Sequence, residues 1–395
     1  MLVQKPFQDI ITFTRASSAT RFNAAGVLET VGNNVPRIDY DPVTLACRGL
    51  LIEEQRTNLI SRSVEIGLLY NPGGAVMTPN FGVAPDGTLT SSRLVTSSQV
   101  FNFNVPAGSA ADISGNNYCQ SIYFKPKSWT GSVSIYSGDG SSIGGTGFSL
   151  VVASAGSAPV ITGAGNGNGV GSVSPAGNGW WRLNFPYAAT ANNTQPTLTF
   201  GTGFGAGADV EFWGRQREIG SFPTSYIATT GAQATRAADL ASINTLSPWY
   251  SAIGGVVFCE FRPMSAEYGV RRVFSLTDGT LNNHMDYYIH TTGAPISLVI
   301  SNGVQQLSDI YESSVGFGAV NRGAFAYKHQ DFGQALNGAA AKQFSGTATV
   351  PQLISTLRIG SNVTAANSAF LSGHIRKLRY FPKRLTNAEL QALTA

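Results

Sequence analysis

The nine residues Gly177-Asn178-Gly179-Trp180-Trp181-Arg182-Leu183-Asn184-Phe185 decide the fold. Trp181, Leu183 and Phe185 alternate with Trp180, Arg182 and Asn184, the period of two that a pleated strand requires, and Gly-Asn-Gly supplies a turn before them. The same rhythm recurs outward from this stretch. Val133 and Ile135 alternate with Ser132 and Ser134, and Val210 and Phe212 with Glu211 and Trp213. Further strands are read at residues 256–261, 273–276, 287–290, 296–301, 325–329 and 357–359, with turn residues between them at short intervals. Many short strands joined by Gly-rich turns form β-sandwiches or barrels, so the predicted class is all-β.

Composition points the same way. The 395 residues include 45 Gly, and only 12% are charged, about half the roughly 25% of an ordinary globular domain. Gly, Ser, Thr and Asn replace the missing charge, and these residues suit turns and sheet surfaces better than helix surfaces. A hydrophobic share of 43% excludes global disorder. The absence of a Gly-X-Y period excludes a collagen-like chain. The length exceeds one hydrophobic core, so two or three domains are expected. No run approaches the ~18 apolar residues of a membrane helix, and Met1–Pro6 lacks the apolar run of a secretory signal. Membrane insertion is therefore not expected. Cys47, Cys119 and Cys259 stand far apart, without metal-ligand spacing, so neither a disulfide framework nor a metal site is expected, and synthesis in a reducing compartment is.

The net charge of +4 is unevenly placed. Residues 1–60 carry six basic and six acidic side chains, residues 61–240 eight and eight, and residues 241–395 twelve and eight. Five of those twelve lie between Arg376 and Arg384, too narrow a stripe for a nucleic-acid footprint. Nucleic acid is not an expected partner.

Residues 229–239, TTGAQATRAAD, have no apolar period and read as a linker. Gly163–Gly171, GAGNGNGVG, reads as a flexible loop or wide turn, since no strand-then-helix context makes it a nucleotide motif. One helix is signalled, from about Asn387 to Ala392 or a little beyond. Thr386 and Glu389 have capping-box spacing, and Leu385 and Leu390 occupy the positions of a hydrophobic staple. The strand before it ends at Pro382, which cannot donate to a sheet ladder.

Two resemblances extend this reading. The stretch GHIRKLRYFPKRLTNAEL, Gly373–Leu390, resembles the end of a concanavalin A-like (laminin G-like) jelly roll, a likeness covering residues 246–395. The run FTRASSATRFNAAGVLETVGNNVPRIDYDPVTLACRGLLIEEQRTNLI, Phe13–Ile60, resembles a module of tailed-bacteriophage structural proteins. Those proteins also carry a middle domain similar to a carbohydrate-binding-module jelly roll, matched here by GNGWWRLNF and by EFWGRQREIGSFPTSYIATTGAQATRAAD, Glu211–Asp239. The resemblance implies a head-spike or head-fibre protein, or a tail fibre, with glycan-binding-type sandwiches. It implies a location on the phage particle surface after synthesis in the host cytoplasm. The chain departs from the family where Arg215 and Arg217 stand in place of small or apolar residues.

The expected organisation is an N-terminal attachment segment at 1–60, a carbohydrate-binding-module-like jelly roll at 61–230, a linker at 231–245 and a concanavalin A-like jelly roll at 246–395. In short, two tandem antiparallel β-sandwiches follow an attachment segment, and a short C-terminal helix closes the chain.

Sugar sites combine aromatic planes with amides and charged groups. Trp180, Arg182 and Asn184 fit that description on one strand face, and alternation places Trp213, Arg215 and Arg217 on another. Arginines beside a tryptophan do not enter an apolar core unpaired. That face is therefore solvated, or it meets acidic groups of a ligand or neighbouring subunit, or Glu211 and Glu218 pair with it. Both tryptophans equally suit ordinary sandwich packing. Near the C-terminus, Asp278, Asn282, Asn283, His284, Asp286, Tyr288 and His290 form a polar cluster, of which Asp286, Tyr288 and His290 are candidate glycan contacts; a turn followed by a polar strand face reads the same way. No calcium loop is present, and Asp39 and Asp41 read as Asx-turns.

Enzyme signals are absent from the motifs. There is no G-x-S-x-G elbow, no E-x-D-x-x-E strand motif and no H-E-x-x-H among the histidines at 284, 290, 329 and 374. Glu53 and Glu54 are adjacent, so on a strand they face opposite ways. The expected function is a virion spike or fibre subunit, without catalytic residues or cofactor. It binds host surface glycan, acidic if Arg215 and Arg217 contact it, and joins other virion proteins through residues 1–60. A homotrimer is expected, because a surface so poor in charge leaves strand edges free to pair. A purely structural connector, or a polysaccharide depolymerase, are the alternatives.

Overall fold

In the computed structural model the chain is described over residues 7–66, 70–71, 75–96, 101–103, 105–137, 148–153, 157–162, 171–194, 196–200, 207–220, 222–264, 269–362 and 369–395. Alternation builds two antiparallel β-sandwiches. The middle one packs two six-stranded sheets face to face. The first runs in the order Val160–Thr162, Phe148–Val152, Gly131–Ser137, Leu198–Phe200, Phe101–Phe103, Tyr70–Asn71. The second runs Ser172–Gly177, Trp180–Ala188, Asn117–Pro126, Asp209–Ile219, Ser91–Thr96, Ala75–Gly82. Between them lie Leu94, Phe103, Ile122, Phe124, Ile135, Leu150, Leu183, Phe185, Phe200 and Phe212, all buried. The expected inward row of the deciding strand, Leu183 and Phe185, is found there; Trp181 packs against the core from its margin.

The second sandwich has two seven-stranded sheets, and its membership departs from the expected domains. One sheet runs Thr12–Thr14, Leu240–Ile243, Thr356–Ile359, Arg271–Thr277, His284–Ile289, Pro295–Ser301, Val304–Ile310. The other runs Lys342–Ser345, Asp331–Leu336, Asn321–Lys328, Gly254–Pro263, Gly373–Phe381, Cys47–Ile52, Ile38–Tyr40. Three strands from the first sixty residues thus belong to the C-terminal sandwich. Phe13, Leu50 and Ile52 sit in its core with Val257, Phe261 and Phe325. Residues 12–52 are therefore not a segment set apart from that body.

The expected linker, 231–245, is likewise structured. Ala234–Arg236 pairs with Arg56–Asn58, and Leu240–Ile243 joins the first seven-stranded sheet. The linker reading rested on the missing apolar period. Here polar side chains fill the interior instead, because they are neutralised by partners rather than by water. Arg15 donates to Asp239 at 3.1 Å, Arg37 pairs with both Asp239 and Glu53, and Arg236 lies 3.6 Å from Glu53 and 3.8 Å from Asp239. All five side chains are essentially without solvent exposure. Burial alone would raise Glu53, but Arg236, Arg37 and the Ser225 hydrogen bonds outweigh it and hold the carboxyl far below its ordinary value. This network ties the N-terminal segment to residues 236–239 and, through Ser225, to the chain leaving the middle sandwich.

The C-terminal helix is Asn387–Thr394, with both capping-box bonds formed between Thr386 and Glu389. Leu385 and Leu390 are buried beneath it against Val256, Ala324 and Ala326. The preceding strand ends at Phe381, immediately before Pro382. The stretch expected to be a loop, 163–171, falls outside the described residues except for Gly171.

Candidate functional site

The two tryptophans expected to face a ligand are 1% exposed. Trp180 does share a face with Arg182 and Asn184, as alternation requires, but the N-terminal hairpin of Ala19–Phe22 and Leu28–Val31 covers that face. Trp180 and Trp213 pack there with Leu28, Ala84, Tyr123 and Tyr226. Their indole N–H groups are spent on Val83 O at 3.1 Å and Thr90 Oγ1 at 3.0 Å. Arg182 donates to Thr224 O and Ser121 Oγ, and Asn184 to Ser172 Oγ.

Arg215 and Arg217 do not share the face of Trp213. Ser121 is registered with Gln216 but Tyr123 with Trp213, so the strand carries an extra residue at Gly214–Arg215. Gly214 adopts φ +61°, the left-handed conformation that glycine tolerates without strain. The bulge reverses the parity beyond it. Both arginines turn inward between the six-stranded sheets, with no exposure. Arg217 pairs with Asp112 at 2.7 Å, and Arg215 donates to Phe103 O, Gln120 Oε1 and Pro196 O. Burial and the adjacent Arg217 pull Arg215 down to about 9, which leaves it charged at neutral pH. Glu211 and Glu218 are not their partners: Glu211 accepts from Ser91 and Lys127, and Glu218 from Gln216 and Thr224. Both arginines are therefore structural ties with no route to an external glycan.

Asp286 and Tyr288 do share the outer face of their sheet, opposite Met285 and Tyr287 in the core. Asp286 is buried and accepts from Arg272 at 2.8 Å, and the Arg272 guanidinium lies 4.6 Å from the Tyr288 ring centre. His290 falls beyond the strand end, facing Thr291 and Thr292 in the turn. Asp278 is committed to its own loop, bonding Thr280 and Asn283. Asp41 makes the expected Asx-turn: burial raises it, but the Thr44 and Val43 amides and Arg48 lower it to about 2. Asp39 instead bonds Phe22 N and His374 Nε2 across the N-terminal junction. Among the described residues no three His, Cys, Asp or Glu side chains are placed to hold a metal ion.

The concavity that the sequence reading missed lies between the sandwiches. A cleft of about 770 Å³ is walled by Glu54–Thr57, Ile219, Gly220, Phe222 and Gln233 on one side and by Gly269–Arg271, Ala369, Phe370 and Ser372 on the other. At its centre two guanidiniums flank one ring, Arg56 at 4.9 Å and Arg271 at 5.1 Å from the Phe222 centroid, within cation–π range. Glu54 accepts from Arg56 at 2.8 Å and also takes the Ser372 hydroxyl. Burial lowers Arg56, but Glu54 outweighs it and holds the guanidinium above its ordinary value. Gly220, at φ +124°, makes room for the arginine; a Cβ there would overlap the Arg56 guanidinium. Gln55 and Gln233 present exposed amides at the rim. Each wall is assembled from residues far apart in sequence, and no local pattern marks it.

No family model matches the chain, and a search of curated proteins returns no match. Among solved structures it is similar to the NanB sialidase from Streptococcus pneumoniae (16% identity over 39% of this chain and 26% of that chain, TM-score 0.33). It is also similar to the CBM40 of Ruminococcus gnavus IT-sialidase bound to α2,3-sialyllactose (16%, 37% and 84%, 0.32). A third is the mouse laminin α1 chain, domains LG4-5 (9%, 85% and 93%, 0.28). The fold assignment rests on the strand pairings of this chain itself.

Proposed function

We propose that this chain is a non-enzymatic glycan-binding protein of a phage particle, and that its ligand occupies the cleft between the two sandwiches. The observation that carries this reading is the cleft's lining. A half-buried phenyl ring beside two arginines, with one carboxylate and the exposed Gln55 amide, offers apolar contact for sugar C–H groups and donors and acceptors for hydroxyls. A volume of about 770 Å³ lies within the roughly 300–1,000 Å³ of small-molecule sites. Glycoside hydrolysis ordinarily needs two carboxyl groups across the bond. The described lining holds one, Glu54, already bound to Arg56 and Ser372, which favours binding over depolymerisation.

Location on the particle, as a head spike or fibre, rests on the resemblance of Phe13–Ile60 to phage structural proteins. Attachment to neighbouring virion proteins then uses exposed parts of a segment that is also woven into the C-terminal sandwich. A homotrimer is supported by the outer strand Ala75–Gly82, where Val76 is exposed and Val83 and Leu89 follow nearby, also exposed. The test is a glycan array probed with full-length protein and with Phe222→Ala. Binding by the first that falls at least about tenfold in the second supports the reading, that factor being roughly 1.4 kcal/mol. Binding unaffected by Phe222→Ala places the site elsewhere, and failure to bind any glycan favours the purely structural alternative.

A further inference from the structure

The interdomain cleft does not end at Gly269–Val270. A second groove, of about 490 Å³, is lined by Gly269, Val270, Arg272, Tyr288, Asn362 and Ala369. It shares Gly269, Val270 and Ala369 with the cleft, so the two concavities meet across that rim. Arg271 and Arg272 are consecutive at the start of one strand, and consecutive strand residues point to opposite faces. Arg271 therefore enters the cleft while Arg272 enters the groove. Each meets an aromatic ring there: Arg271 lies 5.1 Å from the Phe222 centroid and Arg272 4.6 Å from that of Tyr288.

The described lining of the joined concavities holds three arginines, Arg56, Arg271 and Arg272, against one carboxylate, Glu54. The Arg272 counter-ion, Asp286, is fully buried beneath the groove and does not line it. Arg272 is thus oriented from below by its Nε bond at 2.8 Å, and its side chain keeps 12% exposure. That is the arrangement in which a planar cation accepts a carboxylate or sulfate from above.

Building on the cleft as the glycan site, we propose that the ligand is an internal run of a polyanionic polysaccharide. One sugar sits against half-buried Phe222, within reach of Arg56 and Arg271. The chain then crosses the Gly269–Val270 rim, and a second acidic sugar lies on Tyr288 against Arg272. Two arginine–aromatic stations in adjoining concavities read repeated charge, which a single terminal sugar does not possess. Occupying the second station is an intramolecular step once the first is filled, so affinity should climb steeply with chain length.

The experiment is calorimetric titration of the full-length protein with size-fractionated oligogalacturonides from one to eight units, with dextran oligomers as the neutral series. The expected result is a gain of roughly a hundredfold between the shortest and longest acidic oligomers, with no comparable gain for dextran. Tyr288→Leu and Arg272→Gln should each abolish most of that gain while the shortest oligomers bind as before. Phe222→Ala should weaken every length. Thermal melts of all variants guard against misfolding, and Tyr288→Leu, which keeps apolar bulk on the sheet, is the variant that decides if Arg272→Gln is unstable. Acidic oligomers bound without length dependence, or with length dependence untouched by Tyr288→Leu, overturn the two-station proposal but leave the cleft standing. Equal affinity for dextran overturns the polyanionic class. No binding of either series overturns this proposal, and the glycan array then decides the reading beneath it.

Discussion

Removing the Asp239 carboxylate should undo the joint between the N-terminal segment and residues 234–243. Asp239 accepts from Arg15 at 3.1 Å, from Arg37, and from the Glu53 backbone N–H at 3.0 Å, with Arg236 3.8 Å away. In Asp239→Ala three guanidiniums without solvent exposure would confront one remaining carboxylate, Glu53. Breaking a buried pair by deleting one partner costs roughly 3–5 kcal/mol, because the surviving charge stays in the low-dielectric interior. At about 2–4 °C per kcal/mol for a large domain, the melting temperature should fall by roughly 6–20 °C. Hydrogen exchange should localise the loss to Thr12–Thr14, Cys47–Ile52 and Ala234–Arg236, the strands that the network anchors. Because the penalty lies in uncompensated cations, Arg37→Met in the Asp239→Ala background should recover part of the loss, with a coupling of about 0.5–3 kcal/mol. A melting temperature within about 2 °C of the parent, or strictly additive effects in the double variant, would refute the argument that these charges hold the joint.

Other perturbations follow from the same contacts. Burial lowers His374 below its ordinary 6.5 in spite of Asp39, so the unfolded chain binds the extra proton. Stability should then fall as pH drops below about 6.5, and His374→Gln should flatten that limb in pH-dependent denaturation. Glu53 is depressed from 4.5, so its contribution is complete above that pH and is lost on further acidification, giving a second, steeper decline. Gly220→Ala should displace Arg56 from Phe222 and weaken glycan binding while circular dichroism stays unchanged. A fragment of residues 241–395 should fail to melt cooperatively, since it lacks Phe13, Leu50 and Ile52 from its core. Thr386→Ala should cost about 1 kcal/mol by denaturant titration, through loss of the helix cap.

The legible part of this molecule is whatever short-range periodicity governs. Leu183 and Phe185 face the core as their alternation requires, and the Thr386–Glu389 spacing marks the helix start to the residue. Two kinds of feature escaped that logic. A bulge at Gly214 adds one residue, which moves Arg215 and Arg217 from the expected outer face into the interior. A glycine inside a strand is the one local signal of such a slip. The other kind is long-range compensation. Arg236 and Asp239 read as linker because charged residues ordinarily seek water, yet partners nearly two hundred residues or more distant bury them. Of the expected site residues, Trp180 and Trp213 proved to be packing under the N-terminal hairpin, while Tyr288 lines the second groove and Asp286 is buried beneath it, holding Arg272. Phe222, Arg56 and Arg271 were not foreseen, since only the docking of the two sandwiches brings them together.

The most direct test of the glycan-binding cleft is a crystal structure of the full-length protein grown with an acidic octasaccharide. The account predicts sugar density against Phe222, within reach of Arg56 and Arg271, and continuing over Gly269–Val270 toward Tyr288. Density on another face of either sandwich, with the cleft filled only by solvent, would contradict it.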